Sequence, residues 1–127
     1  MNDATFRPVL YVKEGCPFSF KTLLFVLEAG LLDRFEVREF AQGSDEEEAI
    51  RAELSPHLEK VSFPAVQHAP GQFQTESDDI IARYAREANV DPGQLPVLSI
   101  YLGGVFRRVG QLFRENMELK KQLEPAA

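Results

Sequence analysis

Apolar and polar positions along this chain alternate between two periods. Val9-Leu10-Tyr11-Val12 is a short apolar run bounded by Pro8 and by Gly15-Cys16-Pro17, which predicts a buried strand. Pro17 stands where a helix can begin without needing an N–H. Phe18 to Ala29 is long and apolar, and Gly30 follows as a C-cap residue, so a helix of about three turns is predicted. Phe35 to Phe40 alternates apolar and charged residues, the signature of a strand with one exposed face. Ser44 and Glu47 have the spacing of a capping box, and a helix is expected from there to about Leu54, since Pro56 disfavours continuation. The acidic cluster at its start suits the helix dipole; an acidic binding patch is the alternative. Phe63 to His68 reads as a proline-led strand, Ala69-Pro70-Gly71 as a turn, and Gln72 to Thr75 as a returning strand. Glu76-Ser77-Asp78-Asp79 opens a helix to about Ala88, with Ile80, Ile81 and Tyr84 facing inward.

The resulting order is β-α-β-α-β-β-α, an α/β pattern. Its first half predicts a right-handed parallel crossover and its second an antiparallel pair. Residues 7–88 form this unit, and 89–127 are a linker and a helical C-terminal extension. In the extension, Leu98, Leu102, Val105, Val109, Leu112 and Phe113 recur at three- and four-residue spacings. They predict an amphipathic helix, bent at Gly103-Gly104 or Gly110; a hairpin turning at Gly103-Gly104 is the alternative. Such a stripe needs cover; homodimerisation through the tail is expected to supply it, and docking on the sheet face of the same chain is the alternative.

Composition narrows the function. The 127 residues are 44% hydrophobic and 27% charged, ordinary globular values. A net charge of −6 argues against a nucleic-acid binder. No apolar stretch is long and uncharged enough for a membrane span. The polar start over residues 1–5 lacks the layout of a secretion signal, and the reducing cytoplasm is the simplest placement for a lone thiol. One cysteine and two histidines, His57 and His68, offer no metal-binding cluster.

Cys16 carries the candidate chemistry. It stands between a strand and a helix N-terminus, where free N–H groups and the helix dipole favour a thiolate, and Lys13 adds positive charge. Glu14 opposes this in part. The other reading is a small buried apolar cysteine.

Lys13-Glu14-Gly15-Cys16-Pro17-Phe18-Ser19 resembles the K-x-x-C-P-[FY]-[CS] motif of glutaredoxins and the C-P-F-S motif of cysteine-type glutathione transferases. Phe63-Pro64-Ala65-Val66 resembles their proline-led strand, and Thr75-Glu76-Ser77-Asp78 resembles the E-S signature of the glutathione transferase N-terminal domain. The resemblance covers about Arg7 to Ala88. It implies a thioredoxin-like fold with a mixed four-stranded sheet, a cis bond before Pro64, and glutathione as co-substrate. By this resemblance Cys16 is the nucleophile and Lys13 its electrostatic helper. The backbone of Phe63 before Pro64 meets the glutathione cysteinyl amide. Glu76 and Ser77 hold the γ-glutamyl end, with Asp78 facing its ammonium. Phe18 belongs to the glutathione site, although one of Phe18 and Phe20 is also expected in the core. Lys60 reaches a glutathione carboxylate or is a surface lysine, and Ser77 alone could be a helix cap. Ser19 stands in the place of a second cysteine, so a dithiol cycle within one molecule is ruled out. The tail is too short for the all-helical second domain of a full glutathione transferase, which normally forms the electrophile pocket.

The function implied is a glutathione-dependent, monothiol thiol–disulfide oxidoreductase acting on a glutathionylated protein or small disulfide. The alternatives are a non-catalytic glutathione-binding module and, less favoured because Pro17 replaces the glycine of C-G-F-S, an iron–sulfur carrier.

Overall fold

The computed structural model describes residues 6–124; the polar start over 1–5 lies outside them. Four strands, β1 (Val9–Lys13), β2 (Glu36–Phe40), β3 (Ala65–Ala69) and β4 (Gln72–Thr75), form one sheet in the order β2-β1-β3-β4. β1 runs parallel to β2, with Val9 beside Glu36 and Lys13 beside Phe40. β3 is antiparallel to both β1 and β4. The helices are α1 (Pro17–Glu28), α2 (Asp45–Leu54), α3 (Ser77–Ala88), α4 (Pro96–Gly103) and α5 (Val105–Leu123).

Period-two alternation in β1 divides the core. Leu10 and Val12 go to one cluster with Phe25 and Val26 of α1 and Ile80 and Tyr84 of α3. Tyr11 goes to the other, with Phe40 and with Ile50 and Leu54 of α2. Helices therefore cover both faces of a mixed sheet. The fold is thioredoxin-like, with α4 and α5 appended.

Local signals set most boundaries. Pro17 opens α1, as its missing N–H allows. The Ser44 Oγ accepts the Glu47 N–H at 3.1 Å, as a capping box requires. The reciprocal arm differs: Glu47 Oε1 accepts from the Gly43 N–H at 2.7 Å. β3 begins at Ala65 rather than Phe63, because Phe63 and Pro64 precede the ladder; their peptide bond is cis, as expected.

The tail departs furthest from the periodicity. It is helical on both sides of Gly103-Gly104, so the hairpin alternative fails. The helix breaks at Gly104, where an added Cβ would meet the Ile100 carbonyl oxygen at 3.1 Å. The break separates the expected stripe into two helices. Only Leu98 is buried, in the same cluster as Leu10 and Phe25. Leu102, Val105, Leu112 and Phe113 stay exposed. A carboxylate from α1 fixes the start of α4: Glu28 Oε2 and Oε1 accept from the Val97 and Leu98 N–H groups, each at 2.8 Å.

Candidate functional site

The β1–α1 turn places Cys16. Its N–H donates to the Lys13 carbonyl at 3.2 Å, and Gly15 supplies the positive φ of 76° that the turn demands. Ser19, in the place of a second cysteine, is buried and accepts the Lys13 N–H at 3.0 Å. Its hydroxyl thus pins the end of β1 to the first turn of α1. Cys16 is the N-cap residue of α1, yet its side chain caps no backbone N–H. The thiol is partly exposed and outside any disulfide, so the reading of a buried structural cysteine is not met.

Two concavities flank this helix start. One is an apolar cleft of about 560 Å³, where Cys16 and Lys13 meet Leu23, Tyr101, Val105 and Val109. Its far wall comes from α4 and α5, so the short tail does build an apolar surface beside the cysteine. The other is a smaller groove of about 200 Å³ lined by Phe18, Phe63, Pro64, Glu76, Ser77 and Asp78. Six of the residues singled out in the sequence therefore come together there, although Phe63 lies on the approach to β3 and Asp78 on α3. Lys60 is exposed and does not line the groove.

The groove is built on the N-terminus of α3. Ser77 is its first residue and is buried, while Glu76 caps it only by position, without a side-chain hydrogen bond. Glu76 takes φ 74° and ψ 111°, a backbone conformation costly for a residue with a Cβ. The helix therefore offers its first N–H groups toward the groove, a favourable place for a carboxylate.

Solved structures similar to the chain include the following two. One is glutathione transferase Omega 2S from Trametes versicolor in complex with 2,4-dihydroxybenzophenone. It shares 22% identity over 76% of this chain and 48% of that one, with a TM-score of 0.48. A second structure of glutathione transferase Omega 2S from Trametes versicolor shares 20% identity over 79% of this chain and 48% of that one, with a TM-score of 0.45. The chain thus spans about half the length of these proteins. No family model and no curated protein matches the sequence.

Three residues at the site carried no motif. Lys21 is buried on α1, and its Nζ donates to Asp78 Oδ1 at 2.6 Å. The same ammonium lies 5.7 Å from the Phe18 ring centre and 5.0 Å from that of Phe106, within cation–π range. Asp78, expected to face a glutathione ammonium, already holds one cation of its own chain. Phe18 and Phe20 are both half-exposed, so neither is core. Instead Phe18 meets Phe106 edge-on at 5.4 Å and Phe20 stacks on Tyr101 at 4.9 Å. The Tyr101 hydroxyl donates to the Pro17 carbonyl at 3.0 Å. Burial, with a smaller contribution from the neighbouring Cys16, pushes the Tyr101 hydroxyl above its ordinary pKa. Lys21 gave no signal of its own, because its partner Asp78 lies 57 residues away. Tyr101 and Phe106 gave none, because their neighbours lie some 80 residues away.

Among the described residues, no helix is long and apolar enough to cross a membrane. Nor is any group of three or more His, Cys, Asp or Glu side chains placed to hold a metal ion.

Proposed function

We propose that this protein is a glutathione-dependent thiol–disulfide oxidoreductase that works through the single thiol of Cys16. The observation that carries the reading is the position of that thiol. It stands at a helix N-terminus with an apolar cleft on one side, and Phe18 of the same helix lines the groove at the α3 N-terminus.

The chemistry follows thiolate exchange. The Cys16 thiolate attacks the glutathione sulfur of a glutathionylated substrate. The new bond joins Cys16 to glutathione, the substrate S–S bond breaks, and the substrate leaves as a thiolate that takes a proton from water. A second glutathione thiolate then attacks the glutathione sulfur on Cys16. Oxidised glutathione leaves and the Cys16 thiolate is restored. Electrons balance, since one disulfide is consumed and one is made.

In this reading Lys13 supplies positive charge beside the thiolate. The Phe63 backbone before Pro64 pairs with the cysteinyl amide of glutathione. The α3 N-terminus and Ser77 hold the γ-glutamyl carboxylate, and Glu76 and Asp78 face its ammonium. Asp78 serves that role while paired with Lys21, since a carboxylate accepts from several donors at once. Phe18 forms a wall of the groove, and the apolar cleft takes the apolar side chains around the substrate sulfur. Lys60 lies outside the groove and has no part in this arrangement. A cytoplasmic setting, where reduced glutathione is abundant, suits the cycle.

The test is steady-state turnover of a glutathionylated peptide with reduced glutathione as the second substrate. Release of free peptide at a rate that Cys16→Ser abolishes supports the proposal. Saturable glutathione binding without turnover selects the non-catalytic binding module. A brown, iron-containing protein after anaerobic purification selects the iron–sulfur carrier.

A further inference from the structure

The exposed half of α5 carries a pattern that the cleft does not use. Positions 105, 109, 112, 116, 119 and 123 step by four, three, four, three and four residues, the a/d spacing of a heptad repeat. They hold Val105, Val109, Leu112, Asn116, Leu119 and Leu123. Val105 and Val109 line the Cys16 cleft of their own chain. From Leu112 onward the stripe faces solvent: Leu112, Leu119 and Leu123 are 47%, 57% and 83% exposed. A seam left open in this way is the surface that a second helix covers in a coiled coil.

We propose that residues 112–123 of α5 pair with the same segment of a second copy as a parallel, two-stranded coiled coil.

Orientation follows from Asn116. In the parallel arrangement a positions face a positions, so Asn116 meets Asn116 of the second copy and each amide has a hydrogen-bonding partner. In any antiparallel arrangement a faces d. Every d position here is apolar (Val105, Leu112, Leu119), so the amide would be buried without a partner. Charge agrees. Glu115 occupies a g position and Lys120 the e position five residues on, and in a parallel pair these face each other across the interface, twice by symmetry. In the antiparallel register that pairs Leu112 with Leu123, Glu115 faces Gln122 and Lys120 faces Phe113. A single asparagine at an a position also fixes register. The paired segment is about 17 Å long at 1.5 Å per residue. Association is therefore weak and concentration-dependent. It leaves the Cys16 cleft open and stands independently of the glutathione reading.

The test is light scattering on the full chain from low micromolar to millimolar concentration, joined to disulfide trapping. The expected result is a twofold rise in mass with concentration, absent in Leu119→Lys, whose exposed site leaves the monomer fold intact. In a Cys16→Ser background, Leu123→Cys should form its own disulfide at least tenfold faster than Lys121→Cys, which lies on the outer face. A mass that stays monomeric at millimolar concentration overturns the proposal. So does equal trapping at 121 and 123. Preferential mixed trapping between Leu112→Cys and Leu123→Cys overturns the parallel orientation.

Discussion

The Lys21 ammonium and the Asp78 carboxylate lie 2.6 Å apart, across 57 residues of sequence, and their side chains are 6% and 89% exposed. A buried cation on the cysteine helix is thus held by a solvated anion on the groove helix. The pair joins the two elements that build the site. Its asymmetry has a thermodynamic consequence. Removing the lysine leaves a carboxylate that water solvates readily. Removing the carboxylate leaves a buried ammonium with only two aromatic faces for company. Asp78→Ala should therefore destabilise by about 1–3 kcal/mol, and Lys21→Met by less. Urea unfolding of the two variants checks the order.

Ser77→Ala should lower glutathione affinity about ten- to a hundredfold, the loss of one hydrogen bond to a charged group, with little change in stability. Calorimetric titration measures it. Equal affinity in mutant and wild type would reduce Ser77 to the first residue of a helix.

Glu28→Ala should loosen α4. The carboxylate accepts both N–H groups at the start of that helix, and losing such a cap costs about 1–2 kcal/mol. Hydrogen exchange should quicken across residues 97–103 before any change in β1 or β3. Uniform quickening through the sheet would contradict a local capping role.

Tyr84 gives a pH signature. Its hydroxyl is buried without a hydrogen-bond partner among the described residues. Burial pushes its pKa up from 10.0 to about 12, with Glu87 adding to the rise and Arg83 opposing it. A raised pKa in the folded state means that folding holds the proton more tightly. The contribution to stability is present below pH 10 and is lost as pH rises through about 12. Wild type should therefore lose on the order of 2 kcal/mol more than Tyr84→Phe over that interval. At neutral pH the phenylalanine variant should be at least as stable, because it buries no unpaired hydroxyl. Unfolding curves at several alkaline pH values decide it.

How much of this was legible in the sequence varies with the range of the interaction. Local signals carried the order of strands and helices along the chain, and the family resemblance the arrangement of the sheet. The β-rich run before Gly15-Cys16-Pro17 and the Ser44–Glu47 spacing act within a few residues, and the structure follows them. The groove was legible because Phe63-Pro64 and Glu76-Ser77 each form a compact motif. What stayed hidden depends on distant partners. The two charged residues of α1, Lys21 and Glu28, look like solvated positions on an apolar helix. Each proves to be partnered by another element, one by Asp78 and the other by the start of α4. The tail misled for a related reason: a periodic stripe shows which positions share a face only while the helix continues. The break at Gly104 leaves Leu98 and Leu102 on α4 and the rest of the stripe on α5, and of the stripe only Leu98 is buried.

The proposed function stands on exchange of glutathione at Cys16. Intact-mass spectrometry after incubation with oxidised glutathione tests it most directly. One glutathione should add per chain, on Cys16, and excess reduced glutathione should remove it. Ser77→Ala should slow the addition, and Cys16→Ser should abolish it. A thiol that alkylates readily yet takes up no glutathione, or an adduct that reduced glutathione leaves in place, would contradict the account.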